Sequence, residues 1–373
     1  MSDSLLKHSS LSYASIETAP VAARGGLFHF LAVLTAVATF PLIFMGGLVT
    51  SHQAGLSVPD WPNSYGYNMF LFPPRLWIGG ILYEHTHRLM ATVVGMLAIA
   101  LVIAAFATRS ASRRQRGLAL AVLGGVIFQG VLGGLRVVLL KLDLAIVHAC
   151  VAQAFFCLAT YTALATSRQW NEPRPMTAQS SNRGRRLAWL SVATVIAIYF
   201  QLIAGATMRH FQAGLAIPDL PLAYGKILPP LNLDQLDAAN WMRTRELDLD
   251  PVTLSQIWIH FLHRLGAIGV TAMILTLATF VFRHYRTQPR LSRPAAVLIG
   301  LLMVQLTLGV LTVLLRKPAD IASAHVAVGA LVLVTSFVLM AGAIRLYGLW
   351  RPMEFRETGS ASVTTEPNSL AMA

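Results

Sequence analysis

Eight apolar stretches, each roughly 20 residues or longer, alternate along the chain with polar connections, and each is long enough to cross the hydrocarbon core of a bilayer as a helix. They fall near residues 27–50, 79–107, 117–139, 144–166, 187–208, 255–282, 294–315 and 321–344. The second and sixth stretches carry ionisable groups that lower their hydropathy without shortening them. The connections after even-numbered stretches are short and basic. They hold Arg109, Arg113, Arg114 and Arg116, then Arg168, Arg174, Arg183, Arg185 and Arg186, then Arg283, Arg286, Arg290 and Arg293. Positive-inside reasoning puts these loops and both termini on the cytoplasmic side. The odd loops then face outward, and one of them, 209–254, collects Asp219, Asp234, Asp237, Glu246, Asp248 and Asp250.

Composition agrees with this pattern. The 373 residues are 55% hydrophobic and only 12% charged, with a mean hydropathy of +0.60, a balance that places the chain in the bilayer rather than among soluble domains. The formal net charge of +13 is largely topogenic, which argues against a nucleic-acid binder. Residues 1–26 are too polar for the apolar core of a cleavable signal, and the tail after Arg351 reads as disordered. Cys150 and Cys157 lie within the fourth span, where they read as small apolar packing residues; no disulfide framework or cysteine metal site is supported.

The strongest organisational signal is a duplication. His52-Gln-Ala-Gly-Leu-Ser-Val-Pro-Asp60 recurs 159 residues later as Phe211-Gln-Ala-Gly-Leu-Ala-Ile-Pro-Asp219. The match continues through Tyr65-Gly66 and Tyr224-Gly225, Pro73-Pro74 and Pro229-Pro230, Glu84-His-Thr-His-Arg-Leu89 and His260-Phe-Leu-His-Arg-Leu265, Gln129 and Gln305, and His148 and His325. The expected fold is therefore an all-α polytopic membrane protein of two tandem four-helix bundles related by a pseudo-twofold along the membrane normal. Its parts are a cytoplasmic N-terminal tail (1–26), an N-terminal bundle (27–166), a cytoplasmic linker (167–186), a C-terminal bundle (187–345) and a cytoplasmic tail (346–373).

Ionisable residues inside membrane spans are costly and ask for a partner or a function. His87, His148, His263 and His325 sit at repeat-related positions and similar depth, near the outward ends of their spans. One imidazole from the second span and one from the fourth would bracket a flat cofactor such as haem, and the C-terminal half repeats the pair. Gly133, Gly134 and Gly309 would leave room for a macrocycle, though membrane-helix glycines more often serve packing. Zinc is a weaker reading, since only Glu84 or His260 would add a ligand within the same helix. Asp143 and Asp320, each five residues before a histidine, are expected to cap their helices. His85 and His52 read as structural or surface residues, and His8, His29, His210 and His284 have no motif support.

Glu84 is the one acidic residue placed well inside a span, and its repeat counterpart is His260, so the two halves differ chemically. A carboxylate beside one haem only points to an active site in the N-terminal half and an electron-transfer or structural haem in the other. The competing reading is an ion pair of Glu84 with Arg88, four residues on.

With these residues assembled, the chain resembles the haem A synthase family over about residues 27–345. The resemblance implies a membrane enzyme that oxidises the C8 methyl group of haem O to a formyl group, giving haem A for terminal oxidases. It implies His87 and His148 as axial ligands of the substrate haem, Glu84 as the catalytic carboxylate, and His263 and His325 as ligands of a haem b cofactor. Arg88 and Arg264 are candidate propionate contacts. Haem O synthase and an electron donor are the implied partners beside lipid, the location a bacterial inner membrane, and homo-oligomerisation stays open. Many bacterial relatives carry cysteine pairs in the outward loops; this chain has none there and resembles the cysteine-free subgroup. Two other classes remain open from the residues alone: a dihaem membrane cytochrome b that only carries electrons, and a haem-binding oxidase-assembly factor without turnover.

Overall fold

The computed structural model describes residues 26–139, 143–172 and 182–349. The N-terminal tail with His8, the basic residue Arg174 and the tail after Arg351 lie outside the described residues.

Among the described residues eight long helices are apolar enough to span a membrane: α1 (Gly26–Ser51), α2 (Gly79–Ala107), α3 (Arg113–Val138), α4 (Asp143–Thr166), α6 (Asn182–His210), α8 (Leu254–His284), α9 (Pro289–Leu314) and α10 (Ala319–Tyr347). Each expected span is thus a helix, and the protein is an all-α polytopic membrane protein. Two shorter helices, α5 (Arg168–Asn171) and α7 (Leu233–Arg245), lie in the connections. The second of these was not anticipated; it forms inside the acidic loop 211–253, where the Asn232 side chain accepts the Gln235 N–H and supplies the cap.

Helix starts follow local chemistry. Ser112 with Gln115 and Thr253 with Gln256 form reciprocal capping boxes at α3 and α8. Pro289 starts α9 where its missing N–H costs nothing. The expected cap at Asp320 is corrected: Pro318 holds the cap position of α10, and Asp320 sits in the first turn, where its carboxylate accepts the Ile321 N–H at 2.8 Å. Asp143 is the first residue of α4 and faces His210 at 3.4 Å.

Packing reproduces the duplication. In the N-terminal half α1 packs on α2, α2 on α3, α3 on α4 and α4 back on α1; in the C-terminal half α6, α8, α9 and α10 close the same ring. The halves meet where α1 lies on α10 and α4 on α6, with α4 also against α10. Since α1 corresponds to α6 and α4 to α10, this joint pairs each element with its counterpart's neighbour, as a pseudo-twofold requires. Small residues allow the close approach: a Cβ at Gly47 of α1 would stand 3.1 Å from Ser323 of α10. Polar bonds then cross the joint, from Ser51 to Ser323 at 2.9 Å and from the Tyr199 hydroxyl to the Cys150 carbonyl at 3.1 Å. Cys150 and Cys157 are free thiols.

The two long loops, 52–78 and 211–253, share one construction. The Asp60 carboxylate accepts the N–H groups of Tyr65 and Gly66 at 2.7 and 2.8 Å, and Asp219 does the same for Tyr224 and Gly225 at 2.8 and 2.9 Å. Both tyrosines take a left-handed backbone, and their hydroxyls donate to the carbonyls of Ser57 and Ala216. Much of the repeated sequence therefore builds loops over the N-terminal ends of α2 and α8.

Candidate functional site

The four histidines ride on α2, α4, α8 and α10, about one and a half to two and a half turns from the first residue of each helix. Each imidazole lies against a glycine of a neighbouring helix. A Cβ added at Gly46 of α1 would meet His87 Cε1 at 3.1 Å, and at Gly133 of α3 would meet His148 Cε1 at 3.5 Å. In the second half Gly205 of α6 stands in the same relation to His263 at 3.1 Å, and Gly309 of α9 to His325 at 3.1 Å. Gly46 and Gly205 occupy equivalent repeat positions and were not singled out from sequence. Their signal was the repeat itself, extended back from Gln53 and Gln212 into the preceding spans. Gly134, expected to make room for a cofactor, instead receives the Trp61 ring, which a Cβ would approach to 2.5 Å.

His87 and His148 are within electrostatic reach of each other, as are His263 and His325. The Nδ1 atoms of His87, His148 and His325 are buried without a hydrogen-bond partner, and the amide oxygens of Gln129 and Gln305 beside them are likewise unpaired. Buried polar atoms left unsatisfied are rare and mark a place where a further group belongs. Glutamines line both pairs. Gln129 donates to the His148 carbonyl at 3.3 Å, Gln305 approaches His325 Nε2 at 3.4 Å, and Gln201 meets both His263 Nδ1 at 3.1 Å and its carbonyl at 2.8 Å. Paired imidazoles backed by glycines, three of them with an unpaired ring nitrogen, are a donor set that would suit a flat metal macrocycle. Among the described residues no three His, Cys, Asp or Glu side chains converge as a chelating cluster.

Glu84 is buried. Its Oε1 accepts from Arg88 Nη2 at 2.8 Å and its Oε2 from the Val58 N–H at 2.9 Å. In the other half His260 takes both roles: Nδ1 faces the Ile217 N–H at 3.2 Å, and Nε2 faces Arg264 Nε at 3.2 Å. A carboxylate accepts both donors, but a neutral imidazole has one lone pair to offer.

Arg88 and Arg264 hold the loops. Arg88 donates to the carbonyls of Val58, Asp60 and Asn63 at 2.7–2.9 Å, and Arg264 to those of Ile217, Asp219 and Leu222 at 2.9–3.0 Å. His85 is a fully buried loop anchor, bonded to Ser64 at 3.2 Å and packed on Phe72 and Trp77; His52 stacks on Tyr83. A third arginine, Arg136 of α3, was missed from sequence. Its guanidinium crosses Gly55, and it lies within electrostatic reach of Glu84, His87 and His148.

The sequence profile of the cytochrome oxidase assembly proteins, COX15-CtaA, matches residues 80–337, a range that holds Glu84 and all four histidines. The chain belongs to this family. Several relatives named "Heme A synthase" are similar to it along most of their length. That of Shewanella oneidensis is 27% identical over 323 residues, covering 81% of this chain and 92% of the relative. That of Beijerinckia indica is 28% identical over 333 residues (80% and 88%), and that of Shouchella clausii 26% over 289 (76% and 86%). The family match starts inside α2 and omits α1, so Gly46 stands outside the matched range although it seats a histidine within it.

Proposed function

We propose that this member of the family is a haem A synthase, which oxidises the C8 methyl group of haem O to a formyl group by two successive hydroxylations and loss of water. The observation that carries the reading is the pair of repeat-related imidazole sites, each histidine seated against a glycine, with a buried carboxylate in only one half. The names of the relatives support it.

On this reading His87 and His148 hold the substrate haem O in the N-terminal half, and His263 and His325 hold a haem b in the C-terminal half. A bound haem b supplies reversible one-electron transfer. Glu84 is the proton-handling group on the substrate side; the Val58 N–H and Arg88 fix its two oxygens while Arg88 closes the loop above, which excludes water. His260 cannot take that part as a carboxylate would, which makes the second half the electron-relay side. The basic ends of the helices support an inner-membrane orientation with both termini cytoplasmic and the haem sites near the outer face. A haem O synthase would supply the substrate, and a donor on the outer side the electrons.

The test is haem analysis of single histidine variants of the purified protein. His87→Ala or His148→Ala should remove haem O and its oxidised products while haem b stays; His263→Ala or His325→Ala should remove haem b. Retention of every pigment in all four variants would overturn the assignment.

A further inference from the structure

A haem brings two carboxylates as well as an iron, and the arginines next in sequence to His87 and His263 already donate to loop carbonyls. Two other cations have the opposite character. Arg136 leaves its α3 helix one turn beyond Gly133, the residue that seats His148, and crosses Gly55 so closely that a Cβ there would overlap the guanidinium. Its Nε is buried without a hydrogen-bond partner. Lys317, in the turn between α9 and α10, packs over Gly214, where a Cβ would stand 3.3 Å from its Cδ. Its ammonium has one neutral contact, Gln212 Oε1 at 3.3 Å. Gly55 and Gly214 are the same glycine of the repeated Gln-Ala-Gly-Leu unit. The two halves thus reach one arrangement, a long cation over the loop glycine, from different places in the chain.

Among the described residues neither cation has a carboxylate within ion-pair distance; Glu84, within electrostatic reach of Arg136, is already paired with Arg88. The ion pairs among the described residues join Arg88 to Glu84 and Arg290 to Glu172, and His210 approaches Asp143 at 3.4 Å. Burial, together with the neighbouring Arg209, holds the Lys317 pKa below the ordinary lysine value, as expected of an ammonium that lacks its anion. Arg209 is itself partly buried, donates to the Gly47 carbonyl at 2.6 Å and to Ser51, and lies within electrostatic reach of His325. Cations with no ion-pair partner among the described residues, Arg136 partly buried beside His87 and His148 and Lys317 exposed beside Arg209, both over residues that lack a side chain, are suited to carboxylates that arrive with a ligand.

We propose that Arg136 over Gly55 and Lys317 over Gly214 are the seats for the propionate groups of the tetrapyrroles, one seat in each half. The proposal rests on the reading of the histidine pairs as haem sites. It moves the propionate contact from Arg88 and Arg264, which keep the loops closed, to two residues outside the histidine motifs.

The full-length protein, freed of haem in detergent, is titrated with haem b and with its dimethyl ester, followed by Soret absorption. A His325→Ala background reads the N-terminal site and a His148→Ala background the C-terminal one. The diacid should bind about tenfold more tightly than the diester at each site, the worth of one charge-assisted hydrogen bond. Arg136→Gln should abolish that preference in the N-terminal site alone and Lys317→Gln in the C-terminal site alone, with diester affinity unchanged, which also shows that the variants fold. A preference that survives both substitutions, or an equal loss of diacid and diester binding, overturns the seats. If added phosphatidylglycerol erases the preference of the unsubstituted protein, the cations serve lipid phosphate and the proposal fails. Haem binding that persists in His325→Ala when His87 is also replaced would instead sink the reading of the histidine pair.

Discussion

Glu84 and His260 stand at equivalent places in the two halves and face the same pair of donors, a loop N–H and the arginine four residues on, yet only the carboxylate can accept from both. This single difference separates a half with a buried acid from a half without one. Replacing Glu84 by Gln keeps an acceptor for the Val58 N–H and removes the charge. The variant should retain both haems and lose oxidised product by about 100-fold, the low end of what proton transfer contributes. Unchanged yield, measured by haem chromatography, would leave Glu84 as a loop anchor only.

The converse substitution tests the same relation through stability. His260→Glu restores two acceptors opposite the Ile217 N–H and Arg264. It should raise the thermal stability of the C-terminal half by about 1 kcal/mol, the net worth of a satisfied buried hydrogen bond. A lower melting temperature than the unsubstituted protein would contradict the comparison.

Gly46 and Gly205 make a prediction that distinguishes the halves. Valine at Gly46 must displace the His87 ring, and valine at Gly205 the His263 ring, each at about 1–3 kcal/mol of overpacking. Optical spectra should show loss of paired-histidine ligation in the N-terminal site for the first variant and in the C-terminal site for the second. Identical spectra from both variants would mean that the glycines serve helix packing alone.

The loop over α2 depends on pH through Asp60. Burial acts to raise its pKa, but the Gly66 and Tyr65 N–H donors, with Arg88 nearby, outweigh it and hold the carboxyl below its ordinary value. A pKa depressed on folding contributes stability above the unfolded value, and that contribution fades as pH falls through the folded one. Amide exchange at Tyr65 and Gly66 should accelerate below about pH 4, where an unfolded Asp titrates, and Asp60→Asn should remove this pH dependence. An exchange rate in the unsubstituted protein that follows only the chemical pH trend would exclude the mechanism.

The eight spans were legible because length and apolar content alone mark a membrane helix, and the duplication because its motifs survive in order. The four histidines were legible as expensive groups at matched depth. Their glycine seats were not, since Gly46 and Gly205 look like any glycine of a membrane helix until a neighbouring span is laid against them. Helix α7 escaped notice because it is short and hidden within a run of acidic residues. Asp320 misled because an acid near a helix start fits a cap, whereas Pro318 occupies that position. The parts played by Arg88 and Arg136 depend on contacts 28 and more residues away in the chain, to Asp60 and Gly55 respectively. Proximity in sequence to His87 favoured the arginine that holds the loop.

The most direct test of the central claim is haem extraction and chromatography of the protein purified from cells that also make haem O. The account predicts haem A or its hydroxylated precursor alongside haem b. Haem b alone, with haem O supplied and neither bound nor changed, would contradict it and make the protein a carrier of electrons.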